Sequence, residues 1–159
     1  MSADDHFETF NLHGTAVAVG GRAVLIRGRS GAGKSDLALR TIALTPRPLI
    51  AHQPVLVADD RVLVTNGAAG LRVTCPDALQ GLIEVRGVGI VHVPFLAAAA
   101  LVLVADLADP MEPMPIERLP EPLDPAYICG RPVPRVLIAP FEASAPLKLL
   151  LALAAAGPA

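Results

Sequence analysis

The sequence feature that most constrains the fold is a glycine-rich corner between a short apolar run and a helical pattern. Residues 28 to 35 read GRSGAGKS and match the pattern G-x-x-x-x-G-K-[ST]. The run before it, Ala23 to Arg27, predicts a buried strand. The segment after it, Lys34 to Leu44, predicts a helix that ends at Thr45-Pro46, because proline cannot continue the helical hydrogen bonds. A strand, a glycine turn and a helix in this order predict an α/β fold.

This corner is suited to bind a chain of phosphates. Its glycines would let backbone N–H groups turn toward an anion, and the positive end of the helix dipole would face the same point. Lys34 would reach the β- and γ-phosphates, and the Ser35 hydroxyl would bind Mg²⁺. The alternative is an ordinary glycine-rich turn with a solvated lysine, but the flanking strand and helix favour the phosphate site. The residues predicted to contact the nucleotide are Gly28, Ser30, Gly31, Ala32, Gly33, Lys34 and Ser35.

Carboxylates follow a second apolar run. Val55 to Ala58 predicts a strand, and Asp59 and Asp60 come directly after it. Adjacent side chains point in different directions, so one carboxylate could assist Mg²⁺ or orient Lys34 while the other accepts a proton from an attacking hydroxyl. A solvated pair in a turn is the alternative.

Three further polar residues are weaker candidates from the pattern alone. Glu84 and Arg86 lie beside glycines in IEVRGVGI and could serve metal and phosphate, or form a surface ion pair. His13 lies beside Gly14, and a lone histidine near a strand is more often packed or solvated than catalytic.

The rest of the chain reads as short strands, turns and one final helix. Asn-Gly in NGAAG predicts a hairpin turn, since both residues accept positive φ. The segment from Asp109 to Pro125 holds six prolines and predicts a loop. Ser144 is placed to cap the final helix, which tolerates Pro146 in its first turn. The remaining predicted strands are 11–18, 61–65, 71–74, 89–93, 100–105 and 135–138, with a short helix at 77–82 and the final helix reaching Ala156.

Composition narrows the class of protein. A chain of 159 residues with 53% hydrophobic residues predicts one domain, 1–159, with a real core. A net charge of -2 and 3% aromatic residues argue against a nucleic-acid surface. The longest apolar stretches are shorter than the ~20 residues of a membrane span, and no signal peptide is visible, so we expect a cytoplasmic protein. Cys75 and Cys129 are then expected to be reduced thiols, with a disulfide as the minority alternative.

Four sequence islands together resemble one family, the bacterial HPr kinase/phosphorylases, which phosphorylate a serine of the phosphocarrier protein HPr. A glycine-rich phosphate loop alone would be generic. Followed by ADDRV and then by EVRGVGI, which is similar to the family's signature, it is highly specific. The islands are LHG at 12–14, GRSGAGKS at 28–35, VADDRV at 57–62 and EVRGVGIVHV at 84–93, and the resemblance covers about residues 11–150.

The resemblance implies a role for each matching residue. Asp59 looks like the catalytic aspartate that takes the proton from the target serine, and Asp60 like its partner near Lys34 and the metal. Glu84 matches a metal-associated glutamate, and His13 a histidine near the active site. Arg131, in CGRPVP, is the best match to an arginine of a mobile loop that helps phosphorolysis.

The resemblance also implies a fold, ligands and partners. The expected fold is a P-loop-containing kinase domain with a mixed central sheet and flanking helices. ATP and Mg²⁺ are the expected cofactors, HPr the expected partner, and a homo-oligomer, by family resemblance a hexamer, the expected assembly. Typical members carry an additional N-terminal domain, and this sequence looks like the short form found in alphaproteobacteria.

Two other functions remain compatible with a phosphate loop. One is a P-loop kinase for a small metabolite, although the later half shows no arginine-rich helical segment for a lid. The other is an ATP-binding regulatory module without transfer activity. A GTPase switch is disfavoured because no N-K-x-D motif is present.

Overall fold

The fold is built on one mixed sheet, seen in a computed structural model that describes residues 7–112 and 115–157. The strands are β1 (Thr9–His13), β2 (Thr15–Val19), β3 (Arg22–Arg27), β4 (Val55–Ala58), β5 (Arg61–Gly67), β6 (Gly70–Thr74), β7 (Leu82–Val85), β8 (Gly89–His92), β9 (Ala98–Leu107), β10 (Ala126–Ile128), β11 (Arg131–Val133) and β12 (Arg135–Ile138). The helices are α1 (Lys34–Ile42) and α2 (Ala145–Ala155), with one 3-10 turn at Asp77–Leu79. Residues 1–6, on which the prediction about a signal peptide partly rests, lie outside the described residues.

Strand β9 organises the sheet, whose order is β1-β5-β6-β9-β3-β2-β4 with β12 also beside β9. It runs parallel to β3 and β12 and antiparallel to β6. On the edge of β9 that faces away from β3, two strands pair with it in turn. Ala98–Ala100 pair with β6, and Val104–Leu107 pair with β12. The prediction of an α/β domain with a mixed central sheet is confirmed.

Each face of the sheet has its own apolar cluster, because neighbouring residues of a strand point to opposite faces. In β3, Ala23 and Leu25 belong to one cluster and Val24 and Ile26 to the other. Both helices cover the second face, and the small β10–β11 hairpin covers the first. The glycine corner therefore leads from the end of β3 to α1, which packs with α2 on this second face of the sheet.

The predicted strand over residues 11–18 is two strands that occupy different places in the sheet. Strand β1 pairs with β5, whereas β2 lies between β3 and β4. The chain bends between them at Gly14, where an added Cβ would lie 2.9 Å from the carbonyl oxygen of Ile26. Only glycine fits this close approach, and the bend brings the end of β1 near the end of β4.

The hairpin between β5 and β6 is confirmed, but the prediction of its turn was wrong. Asn66 and Gly67 belong to β5 and pair with β6, so the loop is Ala68-Ala69. The positive φ falls on Gly70, at 119°. The Asn66 side chain instead donates a hydrogen bond to the Cys129 carbonyl and accepts one from Arg131. Asn66 thus joins two hairpins.

Three strands of three or four residues were not predicted. Strand β7 pairs with β8 to form a hairpin from the EVRGVGI island, and β10 pairs with β11. Their apolar alternation spans too few residues to be distinguished from a loop. The hairpin turn Cys129-Gly130 has positive φ at both residues, as a tight hairpin turn requires.

The structure describes the state of both cysteines and the character of the helices. Both Cys75 and Cys129 are free, and burial raises the pKa of each thiol. Within residues 7–112 and 115–157, no helix has the length and apolarity to cross a membrane. Helix α2 begins after Ser144 with Pro146 in its first turn, as predicted, but the Ser144 side chain makes no capping hydrogen bond.

Arg22 holds the end of α2 on the sheet. Its guanidinium donates hydrogen bonds to the carbonyl of Leu153 at 3.3 Å, to that of Gly157 at 2.8 Å and to that of Ala156. These carbonyls lie at a helix C-terminus, where they have no partner within the helix. One side chain of β3 therefore satisfies three backbone acceptors.

We expect Arg22→Ala to lower the free energy of unfolding by about 1–3 kcal/mol, because charge-assisted hydrogen bonds are lost. Urea denaturation followed by circular dichroism measures the change. Arg72→Ala is the matched control, since Arg72 is exposed on β6. Equal stabilities of the two variants would show that Arg22 does not anchor α2.

Candidate active site

The glycine corner is the loop between β3 and α1. Gly31 and Gly33 have φ values of 81° and 98°, which a residue with a Cβ rarely adopts. Gly33 also lies against the Phe141 ring, which would be 3.0 Å from an added Cβ. The first turn of α1 then presents its free N–H groups toward the loop. The predicted strand, turn and helix are all found here.

Lys34 closes the loop from inside. Only 6% of the residue is exposed, and its Nζ donates hydrogen bonds to the carbonyls of Gly28 at 2.8 Å and Arg29 at 2.9 Å. Burial lowers the pKa of Lys34, and the nearby Asp60 and Asp59 offset part of this effect. A desolvated ammonium of this kind is strongly attracted to an incoming anion.

Asp59 joins three separate segments. Its Oδ1 accepts hydrogen bonds from the Ser35 hydroxyl at 2.6 Å and from the Thr15 hydroxyl at 3.0 Å. Its Oδ2 accepts one from the backbone N–H of Glu84 at 3.2 Å. The carboxylate therefore ties α1, β2 and β7 together beside the hydroxyl that the motif assigns to the metal.

Asp60 faces away from Asp59 because the backbone reverses between them. Its φ is 66°, in the left-handed region that aspartate tolerates better than most residues. Its side chain is 69% exposed, and Oδ1 lies 3.2 Å from His13 Nδ1. The backbone N–H of Gly14 donates to the Asp60 carbonyl at 3.2 Å, which keeps His13 in place. The LHG island at 12–14 and the VADDRV island at 57–62 are thus in contact at Asp60.

A cavity of about 420 Å³ contains most of the predicted residues. Gly28 and Ala32 shape the glycine loop but do not line the cavity. The Gly28 carbonyl accepts a hydrogen bond from Lys34, and the Ala32 N–H donates one to the Arg29 carbonyl. Asp59 lies behind Ser35. The predicted residues that line the cavity are His13, Ser30, Gly31, Gly33, Lys34, Ser35, Asp60 and Glu84.

Arg131 is not brought to this cavity. It lies on β11, where its guanidinium donates hydrogen bonds to the Asn66 side chain and to the Gly67 carbonyl at 2.8 Å. It holds the β10–β11 hairpin against the β5–β6 hairpin. The role implied by resemblance for Arg131 stays a prediction that these contacts do not support.

Two residues of the site had no clear signal in the sequence. Thr15 is fully buried and donates to Asp59, but a threonine at the start of a strand is too common to stand out. Phe141 lines the cavity from the loop after β12, far from the glycine motif in sequence. Arg86, selected with Glu84, does line the cavity.

The donors present suit a magnesium ion that is shared with phosphates. In the part of the chain described here, no three His, Cys, Asp or Glu residues form a cluster that could hold a metal alone. Mg²⁺ in nucleotide sites needs no such cage, since waters, phosphates and one or two carboxylates complete its shell. Ser35 Oγ and Asp59 Oδ1, 2.6 Å apart, provide oxygen ligands of the right type.

Comparison with known proteins gives one consistent result. The family described as HPr Serine kinase C-terminal domain matches residues 6–156. A protein of Azoarcus sp. (strain BH72) named HPr kinase/phosphorylase is 36% identical over 154 residues, covering 91% of this chain and 46% of the relative. A protein of the same name from Bordetella pertussis is 43% identical over 86 residues, covering 54% of this chain and 25% of the relative.

A solved structure has the same fold. The Hpr(Ser) kinase/phosphatase from Coxiella burnetii superposes with a TM-score of 0.73 and 27% identity, over 90% of this chain and 93% of that one. The match to the two curated relatives spans a quarter to about half of their lengths.

The lowered pKa of Lys34 predicts how anion binding depends on pH. Its ammonium should lose the proton at a lower pH than an ordinary lysine, so affinity for tripolyphosphate should fall as pH rises through that pKa. Bound tripolyphosphate should in turn raise the pKa. The chain has only two lysines, Lys34 and Lys148, so NMR titration of ¹³C-labelled lysine measures both, with Lys148 on α2 as the internal reference. If added tripolyphosphate changed neither the chemical shift nor the pKa of Lys34, the anion site would be contradicted.

Proposed function

This chain belongs to the HPr serine kinase C-terminal domain family, and we propose that it is a protein kinase that uses ATP and Mg²⁺ to phosphorylate a serine of HPr. One observation carries the proposal: the Ser35 hydroxyl and the Asp59 carboxylate lie 2.6 Å apart, beside a cavity that also holds Lys34 and Asp60. A phosphate loop, a metal-type oxygen pair and an exposed carboxylate are the groups that phosphoryl transfer requires.

The glycine corner would bind the triphosphate. Backbone N–H groups from Gly31 to Ser35 would surround the β-phosphate, and Lys34 would exchange its two carbonyl partners for phosphate oxygens. This exchange replaces neutral acceptors with charged ones and removes the cost of a buried, poorly solvated ammonium.

We assign Asp59, with Ser35, to the metal. The shared hydrogen bond means that the two oxygens already converge, and a bound Mg²⁺ would neutralise charge on the β- and γ-phosphates. Glu84, whose side chain lines the same cavity, would reach the ion through its water shell. Resemblance had assigned this task to Asp60, but the Asp60 carboxylate contacts His13 rather than Ser35.

We assign Asp60 to the proton of the attacking serine. Two oxygens of Asp59 already accept three hydrogen bonds, whereas the Asp60 carboxylate is exposed to the cavity with His13 as its partner. A general base must reach the substrate hydroxyl directly. His13 Nδ1 would orient the carboxylate and leave its second oxygen toward the substrate.

In the transfer step, the serine oxygen of HPr bonds to the γ-phosphorus as the bond from that phosphorus to the β–γ bridging oxygen breaks. The serine proton passes to an Asp60 oxygen, and ADP leaves. Lys34 offsets charge on the transferring group. The chain's own residues contribute position and charge, which dominate catalysis of phosphoryl transfer.

Other properties follow from the same premise and stay proposals. The relatives are named kinase/phosphorylase, and attack of inorganic phosphate on seryl-phosphate would use the same cavity, with Asp60 returning the proton. A single domain over 1–159, a homo-oligomer and the role of Arg131 in this reverse step are predictions of the same kind.

Incubation of the protein with ATP, Mg²⁺ and HPr from the same organism should yield HPr with one added phosphate on a serine, detected by mass spectrometry. Lys34→Met should abolish the product while circular dichroism stays unchanged, because methionine can neither bind the phosphates nor offset charge on the transferring group. Phosphorylation of small metabolites instead of HPr would favour a metabolite kinase. ATP binding with no product would favour a regulatory module.

The roles of the two aspartates can be separated with Asn variants of equal size. Asp60→Asn should lower the transfer rate by roughly 10²–10⁴-fold, the usual contribution of a general base, and keep Mg²⁺-dependent ATP affinity. Asp59→Asn should lose the metal-dependent part of that affinity. Single-turnover kinetics and calorimetry with and without Mg²⁺ make the measurement. The assignment is wrong if Asp59→Asn binds Mg·ATP normally and only transfer is lost.

A further inference from the structure

A second cavity of about 400 Å³ adjoins the cavity of about 420 Å³ at the glycine loop, which we call the phosphate cavity. Nothing in the proposed mechanism uses the second cavity. Its walls come from the segment after β9 and the loop after β12, and they are mostly apolar. Ala108, Asp109, Pro110 and Pro140 contribute to it. Phe141 lines both cavities and forms the wall between them.

Both sides of this second cavity are attached to the glycine loop. On one side, the Phe141 ring lies against Gly33. On the other, the Asp109 carboxylate pairs with the Arg29 guanidinium at 3.1 Å. A ligand whose phosphates lie along the loop would therefore extend past Phe141 directly into the second cavity.

Phe141 is exposed but held in place. The residue is 65% exposed, although an aromatic side chain gains most from burial. The backbone on either side of it is fixed, because Arg40 donates hydrogen bonds to the carbonyls of Pro140 and Glu142. Glu142 also pairs with Lys148 of α2. A rigidly supported, exposed ring at the edge of a ligand cavity is suited to stack on a ligand.

We propose that the second cavity binds the nucleoside of the triphosphate, with the purine ring stacked on Phe141. This inference rests on the proposed function and names the part of the substrate that the phosphate loop leaves unbound. The volume and apolar walls suit a base and ribose. Stacking requires only the π-face of the base, which every purine has.

Hydrogen-bond recognition of the base is limited at this site. Asp109 Oδ1 is already ion-paired with the Arg29 guanidinium and accepts a hydrogen bond from the backbone N–H of Met111. The Pro140 carbonyl is occupied by Arg40. The aromatic face of Phe141 is therefore the main source of base affinity.

The test compares a ligand that has a base with one that has none. Calorimetry should show that Phe141→Ala weakens ATP binding by roughly 5- to 100-fold, the range for loss of one aromatic stack, and weakens tripolyphosphate binding far less. Tyr127→Ala is the matched control, since Tyr127 is an aromatic residue exposed to a similar degree, 71%, on β10. It should change neither affinity.

A second variant reports on contact directly. The chain has no tryptophan, so Phe141→Trp introduces a single tryptophan, whose emission is separable from that of Tyr127 by excitation at longer wavelength. ATP should quench its emission by stacking, and tripolyphosphate should not.

The outcomes separate this inference from the proposed function. If wild-type protein binds ATP and tripolyphosphate, but Phe141→Ala leaves ATP affinity intact or weakens both ligands equally, the stacking site is wrong and the phosphate loop stands. If wild-type protein binds neither ligand, the phosphate loop itself fails. Selective loss of ATP, with quenching of the introduced tryptophan by ATP alone, supports the stacking site.

Discussion

The hydrogen bonds of Asp59 are the interaction on which the site depends. One carboxylate receives the hydroxyls of Ser35 and Thr15 and the backbone N–H of Glu84, and so connects the start of α1 with β2 and β7. Without these hydrogen bonds, no side chain of the β4–β5 turn would connect the glycine loop with the EVRGVGI hairpin. Because a charged acceptor makes stronger hydrogen bonds than a neutral one, a single residue can set their relative positions.

The second constraint is the backbone reversal at Asp60. With its φ at 66°, two consecutive carboxylates point to different surroundings: one into a hydrogen-bonded junction and the other toward solvent and His13. Chemically identical groups thereby acquire different environments, which is the usual way in which neighbouring carboxylates take different tasks. Gly14 supports this arrangement, since only glycine fits where the chain bends between β1 and β2 beside the Ile26 carbonyl.

The glycine corner, its strand and its helix were predictable because their signal is local: periodicity, glycine spacing and a terminating proline lie within 25 residues of one another. Resemblance of four islands also located Asp59, Asp60, Glu84 and His13, which the structure brings together. Which aspartate contacts Ser35 and which contacts His13 was not predictable, because it depends on the φ of one residue. Arg131 was selected from a short match, and its contacts with Asn66 and Gly67 place it on another hairpin.

The sequence by itself determined the α/β class, the strand, glycine loop and helix of the corner, and the family, since each is carried by short motifs that can be recognised locally. Only the tertiary structure decided that Thr15 supports Asp59, that Asp60 faces His13 and that Phe141 lies over Gly33. The physical reason is that these contacts join residues 44, 47 and 108 positions apart, and their geometry is set by the pairing of strands and the packing of loops rather than by any local pattern.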